Sequence, residues 1–341
     1  MRAILAVLSG CALAAGAWQE PALSGQGAAD RLPAAARAVI EILTPEQRAS
    51  ALYAVDAPEK LDFHFIPRAR PGLSLKEMSA EQRARVAHLL VVALGAEAAA
   101  QVDAVRSLDD VLRWMVESQG GKADHRDSAL YALAIFGTPD ARQPWAFRFE
   151  GHHVSVTVSC DGQGGISFSP FFLGASPAQV AQGPRAGLRA LAAEQDLGLE
   201  LFAGLSEVQR KQAFLGQDVP ADLLIMPGAE LKNLQPAGLS SKALDESQRL
   251  LLQRLISAYV GDTAPEFRDA SLDPAAEAWF AWAGAGLRDQ LHYYRVQTGR
   301  LVIEFVTTQG DVNHVHSYWR DFERDLTRDW MLRHLAEEQP R

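Results

Sequence analysis

The chain is poor in cysteine. Among 341 residues only Cys11 and Cys160 carry thiols, so no disulfide framework can staple the fold, and no CxxC or Cys/His spacing marks a zinc ribbon. A surplus of positive charge is also missing: 33 Lys and Arg stand against 42 Asp and Glu, a formal charge of -9. That balance argues against nucleic acid and against anionic membrane as partners. No stretch beyond the N-terminal leader reaches the roughly 18 consecutive apolar residues that a transmembrane segment needs. Several chemical signatures are absent too: G-x-G-x-x-G, a Walker loop, a G-x-S-x-G elbow and H-E-x-x-H. The glycine-rich Gly162-Gln163-Gly164-Gly165 falls between two expected strands and reads as a hairpin loop, not a phosphate cradle. What is present, at 48% hydrophobic and 22% charged residues, is a globular chain with ample material for a core.

The first residues carry their own signal. Met1-Arg2, an apolar run from Ala3 through Ala14 and the close Ala15-Gly16-Ala17 read as a secretory signal peptide over 1–17, and hence as export to the periplasm or beyond. A rival reading takes Leu8-Ser9-Gly10-Cys11 as a lipobox, with Cys11 the lipidated first residue of an anchored lipoprotein. Residues 18–32, small and polar, read as a tether.

Four helix starts repeat one chemistry: Thr44-Pro45-Glu46-Gln47, Ser79-Ala80-Glu81-Gln82, Ser206-Glu207-Val208-Gln209 and Asp245-Glu246-Ser247-Gln248. Each is a capping box, in which the first side chain accepts from an orphan amide and the glutamine reaches back. The stretch Gly72-Leu73-Ser74 leading into the second box parallels Gly238-Leu239-Ser240 leading into the fourth. Farther on, Phe147-Arg148-Phe149-Glu150-Gly151 is echoed by Tyr294-Arg295-Val296-Gln297-Thr298-Gly299. The expected class is therefore α+β, internally duplicated, each half running helices and then an antiparallel hairpin or meander, over 33–203 and 204–341. The competing reading is chance similarity of a common capping box. Val154, Val156, Val158 and Cys160 alternate with Ser155, Thr157 and Ser159, the period-two pattern of a half-buried strand. Leu301, Ile303 and Phe305 alternate likewise with Val302, Glu304 and Val306. Residues 313–320 are expected to form a last strand, with 165–170 as its counterpart. Segments 177–205 and 322–338 are expected to be helical.

Histidine is the residue that points to chemistry. Four of nine fall in two clusters, His152-His153 and His314-Val315-His316. An H-x-H pair on a strand puts both imidazoles on one face, about 6 to 7 Å apart at the backbone, within reach of one ion. Zinc, copper and iron all accept imidazole, and a catalytic site takes three protein ligands and leaves one position open. His314 and His316 with one of His152 or His153 make the candidate set. On a strand, adjacent residues face opposite ways, so only one of that pair is expected to serve. Glu304 or Asp321 is the candidate carboxylate, as ligand or as the group that orients a ligating imidazole. The plain alternative is that these histidines are hydrogen-bonded or exposed pairs that hold no metal.

Arginines and aromatics offer a different reading. Arg148 and Arg295 occupy equivalent positions and read best as buried ion pairs, while Arg320, on the His314 face, is the candidate clamp for an anionic substrate group. Trp145, Phe172, Tyr293, Tyr318 and Trp319 read mainly as core. Three functions compete on this basis. One is a metal-dependent hydrolase or oxidoreductase; the second is a metal-free protein that binds an organic anion, small molecule or peptide; the third is a purely structural interaction module.

The strings Trp145 to His153, Phe172-Leu173-Gly174-Ala175, His292-Tyr293-Tyr294-Arg295 and His314 to Asp321 together resemble an uncharacterised family, the domain of unknown function thirty-five hundred. The resemblance runs from about Leu43 to His334. The chain departs from the expected hydrophobic-His-Tyr close, having His334-Leu335 there. Membership implies no reaction, substrate or cofactor.

Overall fold

The computed structural model describes residues 28–225, 235–268 and 273–324. The leader with Cys11 and most of the expected C-terminal helix lie outside the described residues. In chain order the first elements are α1 (Ala28–Glu41), α2 (Pro45–Ala51), β1 (Leu52–Tyr53), β2 (Leu73–Ser74), α3 (Ala80–Leu94) and α4 (Ala96–Glu117). Then come β3 (Ala132–Phe136), β4 (Trp145–Gly151), β5 (Val154–Cys160), β6 (Ile166–Ser167) and β7 (Phe171–Ala175). The second series is α5 (Ala192–Gly204), α6 (Glu207–Ala213), β8 (Phe214–Gly216), β9 (Leu239–Ser240) and α7 (Glu246–Val260). It ends with β10 (Ala278–Gly284), β11 (His292–Thr298), β12 (Leu301–Thr307) and β13 (Val315–Asp321). Helices beside one broad sheet make the class α+β.

All four expected capping boxes form, at Thr44, Ser79, Ser206 and Asp245, each with both reciprocal bonds. Their glutamines do more than cap. Gln47 and Gln82 exchange side-chain hydrogen bonds of 3.1 and 2.7 Å, and Gln209 and Gln248 exchange a matching pair of 2.8 and 3.0 Å. The spare amide protons go to backbone carbonyls: Gln47 donates to Glu77, Gln82 to Ile42, Gln209 to Ala243 and Gln248 to Gly204. Two helix starts are thereby tied together in each series, with the buried Gln82 and Gln248 amides fully partnered.

The strands form a single sheet in the order β1-β3-β4-β5-β7-β13-β12-β11-β10-β8, with β2, β6 and β9 as short additions. Pairing is antiparallel except at the outer pairs β1–β3 and β8–β10, so the sheet is mixed. Its middle is the β7–β13 seam, where the meander of the first series meets that of the second. The expected alternation holds, but both faces are buried. Val154, Val156 and Val158, with Ile303, Phe305 and Trp319, pack beneath the helices, while Phe172, Tyr293, Val306 and Tyr318 pack against Phe63, Phe65 and Leu223 on the opposite face.

That opposite face is covered by two irregular straps, residues 54–72 and 217–225, which is why strands expected to be half-buried are fully covered. A buried strap must partner its backbone groups. Arg148 donates to the carbonyls of Lys60 and Glu59 at 3.1 and 3.0 Å and pairs with Glu150 at 3.2 Å. Glu150 in turn accepts from the His64 amide. In the second strap Glu304 accepts from the amides of Leu224 and Ile225 at 3.1 and 2.7 Å, and Arg295 stands directly across from it on β11. Arg148 thus ties the first strap to the sheet.

Three expectations change. Segment 177–205 is not one helix; α5 begins only at Ala192, because Gly183, Arg185 and Gly187 take left-handed φ values of 82, 60 and 91° that no helix admits. The expected strand at 165–170 shrinks to the two-residue β6, which pairs with β5, while β13 pairs with β7. The last strand begins at Val315, which leaves His314 in the loop before it.

Candidate metal centre

The histidines meet at one end of the β7–β13 seam. His152 and His153 are not strand residues: they form the two-residue turn between β4 and β5, and His153 has a φ of 63°. The turn frees them from strand alternation. Their rings stack at 3.9 Å on the same side of the chain instead of facing opposite ways. The His153 backbone is pinned from two sides, its amide donating to Phe65 and its carbonyl accepting from Gly174. His316 lies opposite Gly174 across the seam, and His314 is held in its loop by bonds to Asp311 and Thr308.

From those three positions the ring nitrogens converge. His153 Nε2 is 3.0 Å from His314 Nε2 and 3.4 Å from His316 Nε2, and one ligand atom of each residue lies within 4.8 Å of the others. Nitrogens bound tetrahedrally to one ion at about 2.1 Å stand roughly 3.4 Å apart, so the two distances from His153 suit a shared cation, while the widest separation in the cluster, up to 4.8 Å, has to close for all three to ligate. Hydrogen bonding alone leaves the cluster short: His153 Nε2 faces two Nε2 atoms and carries at most one proton. Burial drives the His153 pKa well below its ordinary value, with further lowering from the neighbouring imidazoles. His314 falls to about 4, again chiefly through burial. Both rings are therefore neutral at pH 7, the form that ligates metal.

Groups that the sequence did not place beside the histidines complete the site. Asp222, on the second strap, places Oδ1 2.7 Å from His316 Nδ1. Its carboxyl is held below the ordinary range, burial opposing and the His316 hydrogen bond prevailing. Phe65 and Phe172 each set a ring 5.1 Å from that of His316. Gly174 makes room for the whole cluster: a Cβ there would stand 2.9 Å from His153 Cγ and 3.0 Å from His316 Cδ2. Gly174→Ala is expected to cost about 1 to 3 kcal/mol of stability by overpacking and to weaken metal binding at least tenfold, measured by thermal melting and metal titration.

The other candidates fall in different places. His152 turns from the cluster to Asp109, whose Oδ1 lies 2.8 Å from its Nδ1, and to Arg126. It lines a pocket of about 530 Å³ together with Asp109, His125 and Arg70. Glu304 shares the His316 face, but its oxygens are taken by Tyr293 and by the amides of Leu224 and Ile225 in the strap that carries Asp222. Asp321 lies on the opposite face, paired with Arg300, and is not brought to the histidines. Arg320 is 1% exposed and four residues along β13 from His316, a span of about 13 Å at strand rise, so it does not reach an ion held there. The Cys160 thiol is pushed up by burial and is inert.

Fold and site together define an α+β protein with a buried three-histidine cluster at the seam of a single mixed sheet. The chain belongs to the family described as protein of unknown function (DUF3500), whose model matches residues 26–328. No curated protein and no solved structure matches it. Among the described residues no helix is long and apolar enough to cross a membrane.

Proposed function

We propose that this chain is an exported, metal-dependent protein that binds one transition ion through His153, His314 and His316. The observation that carries this reading is the gathering of three imidazole nitrogens within 4.8 Å of one another. Zinc, copper and iron suit three neutral imidazoles, and three protein ligands leave a position for water or substrate. With zinc the chemistry supplied is activation of water for hydrolysis; with iron or copper it is oxidoreduction. His314 is the least buried of the three, which gives the centre its approach from solvent. The neighbouring pocket at His152 has the size of a small-molecule site.

Export rests on the leader at 1–17. We further propose that the two series of elements descend from a duplication, supported by the paired glutamine networks and the mirrored strand order. On this proposal α5, which packs on α7 as α1 packs on α3, would belong to the second series.

Elemental analysis tests the metal. Mature protein purified without a histidine tag is expected to carry near one equivalent of zinc, copper or iron per chain. Absence of metal after reconstitution with each would overturn the reading.

A further inference from the structure

We propose that Asp222 is the positioning residue of this centre, and that its strap couples the two ligands supplied by β13 and the loop before it. The inference rests on the three-histidine reading. A carboxylate 2.7 Å from His316 Nδ1 requires the proton on that nitrogen, which leaves the Nε2 lone pair aimed at His153 and the ion. The Asp222 side chain is 42% exposed while that of His316 is 3% exposed. An exposed carboxylate has water as an alternative partner, so the bond serves the buried ring more than the acid.

The strap is itself held at both ends of this contact. Beyond Asp222, Glu304 takes the amides of Leu224 and Ile225. Before it, the Ala221 carbonyl accepts from Thr308 Oγ1 at 2.7 Å and from the Gln309 amide at 3.2 Å. Thr308 also donates its own amide to the His314 carbonyl. One short segment therefore sets the tautomer of one ligand and braces the loop of another. Binding of the ion and the strap's contact with His316 therefore favour each other.

Two readouts on the full chain test this. In metal-free protein, nitrogen NMR of the His316 ring is expected to show the Nδ1–H tautomer, and Asp222→Ala to shift it toward a mixture. Zinc titration against a chelator is expected to give about 10- to 100-fold weaker binding for Asp222→Ala. Asp222→Asn, which keeps an acceptor oxygen, is expected to recover most of that loss; a merely structural role would show in melting temperature without this rescue. Unchanged zinc affinity in Asp222→Ala overturns the proposal. If native protein binds no zinc, copper or iron, the three-histidine reading falls separately, and the tautomer decides for Asp222: its loss in Asp222→Ala supports the role and its retention overturns it.

Discussion

If the three-histidine proposal holds, His153→Asn is expected to lower metal affinity by more than about 100-fold, beyond what loss of a group merely supporting a ligand produces. His153 is the hub of the cluster, because its Nε2 is the atom from which both other Nε2 distances, 3.0 and 3.4 Å, are short. Removing it leaves two imidazoles on one loop and strand, a bidentate remnant with no third donor. Asparagine is the informative substitution. The residue sits at a φ of 63°, a conformation asparagine tolerates and alanine resists, so the turn between β4 and β5 should survive. Elemental analysis, zinc titration and circular dichroism melting together check the result. A folded variant that keeps one equivalent of metal would remove His153 from the ligand set.

Local chemistry explains which parts of this architecture were legible in advance. A capping box is written within four residues, so Thr44, Ser79, Ser206 and Asp245 marked their helices without knowledge of the rest. Alternation along β5 and β12 likewise gave the face of each side chain. Segment 177–205 misled because its leucines and alanines keep a helix-like spacing, while the left-handed residues at 183, 185 and 187 decide the backbone. The seam strand β7 was hidden for another reason. Phe171 to Ala175 is a five-residue apolar run with no periodic signature, and only its pairing with β13 gives it meaning.

The site divides along the same line. The residue types were visible as two histidine clusters, but a period-two reading assigned His152 and His153 to opposite faces, when a two-residue turn stacks them. Asp222 had no signal at all. It lies in an irregular strap 94 residues from His316, and nothing in the sequence around Asp222 announces a partner so far away. Glu304 is legible as a carboxylate on the His316 face, but its bonds to the Leu224 and Ile225 amides are not, since a buried carboxylate is as well suited to backbone amides as to a metal ion. Gly174 stood within a family string, yet its necessity comes from two rings closing over it from different strands.

A second large effect is expected far from the histidines, in the dependence of stability on pH. Glu194, in the first turn of α5, is 2% exposed, and its Oε2 has no hydrogen-bond partner. Burial raises its pKa to about 7, against the partial relief of a 2.6 Å hydrogen bond from Gln101. Nearby Asp262 is also raised, by burial first and by the charge of Glu194 second. A carboxyl whose folded pKa exceeds its unfolded value binds more protons when folded. Its contribution is therefore fully present below about pH 4.5 and is lost as pH rises through 7. A shift of roughly 2.5 pH units corresponds to about 3 kcal/mol. The difference in unfolding free energy between native protein and Glu194→Gln should change by that amount between pH 4.5 and 8, with the variant relatively more stable at the alkaline end. Using the difference between the two proteins cancels any fixed cost of the amide in this site. Urea unfolding across that range measures it, and a difference that stays flat with pH would show that Glu194 is ionised in the folded protein throughout.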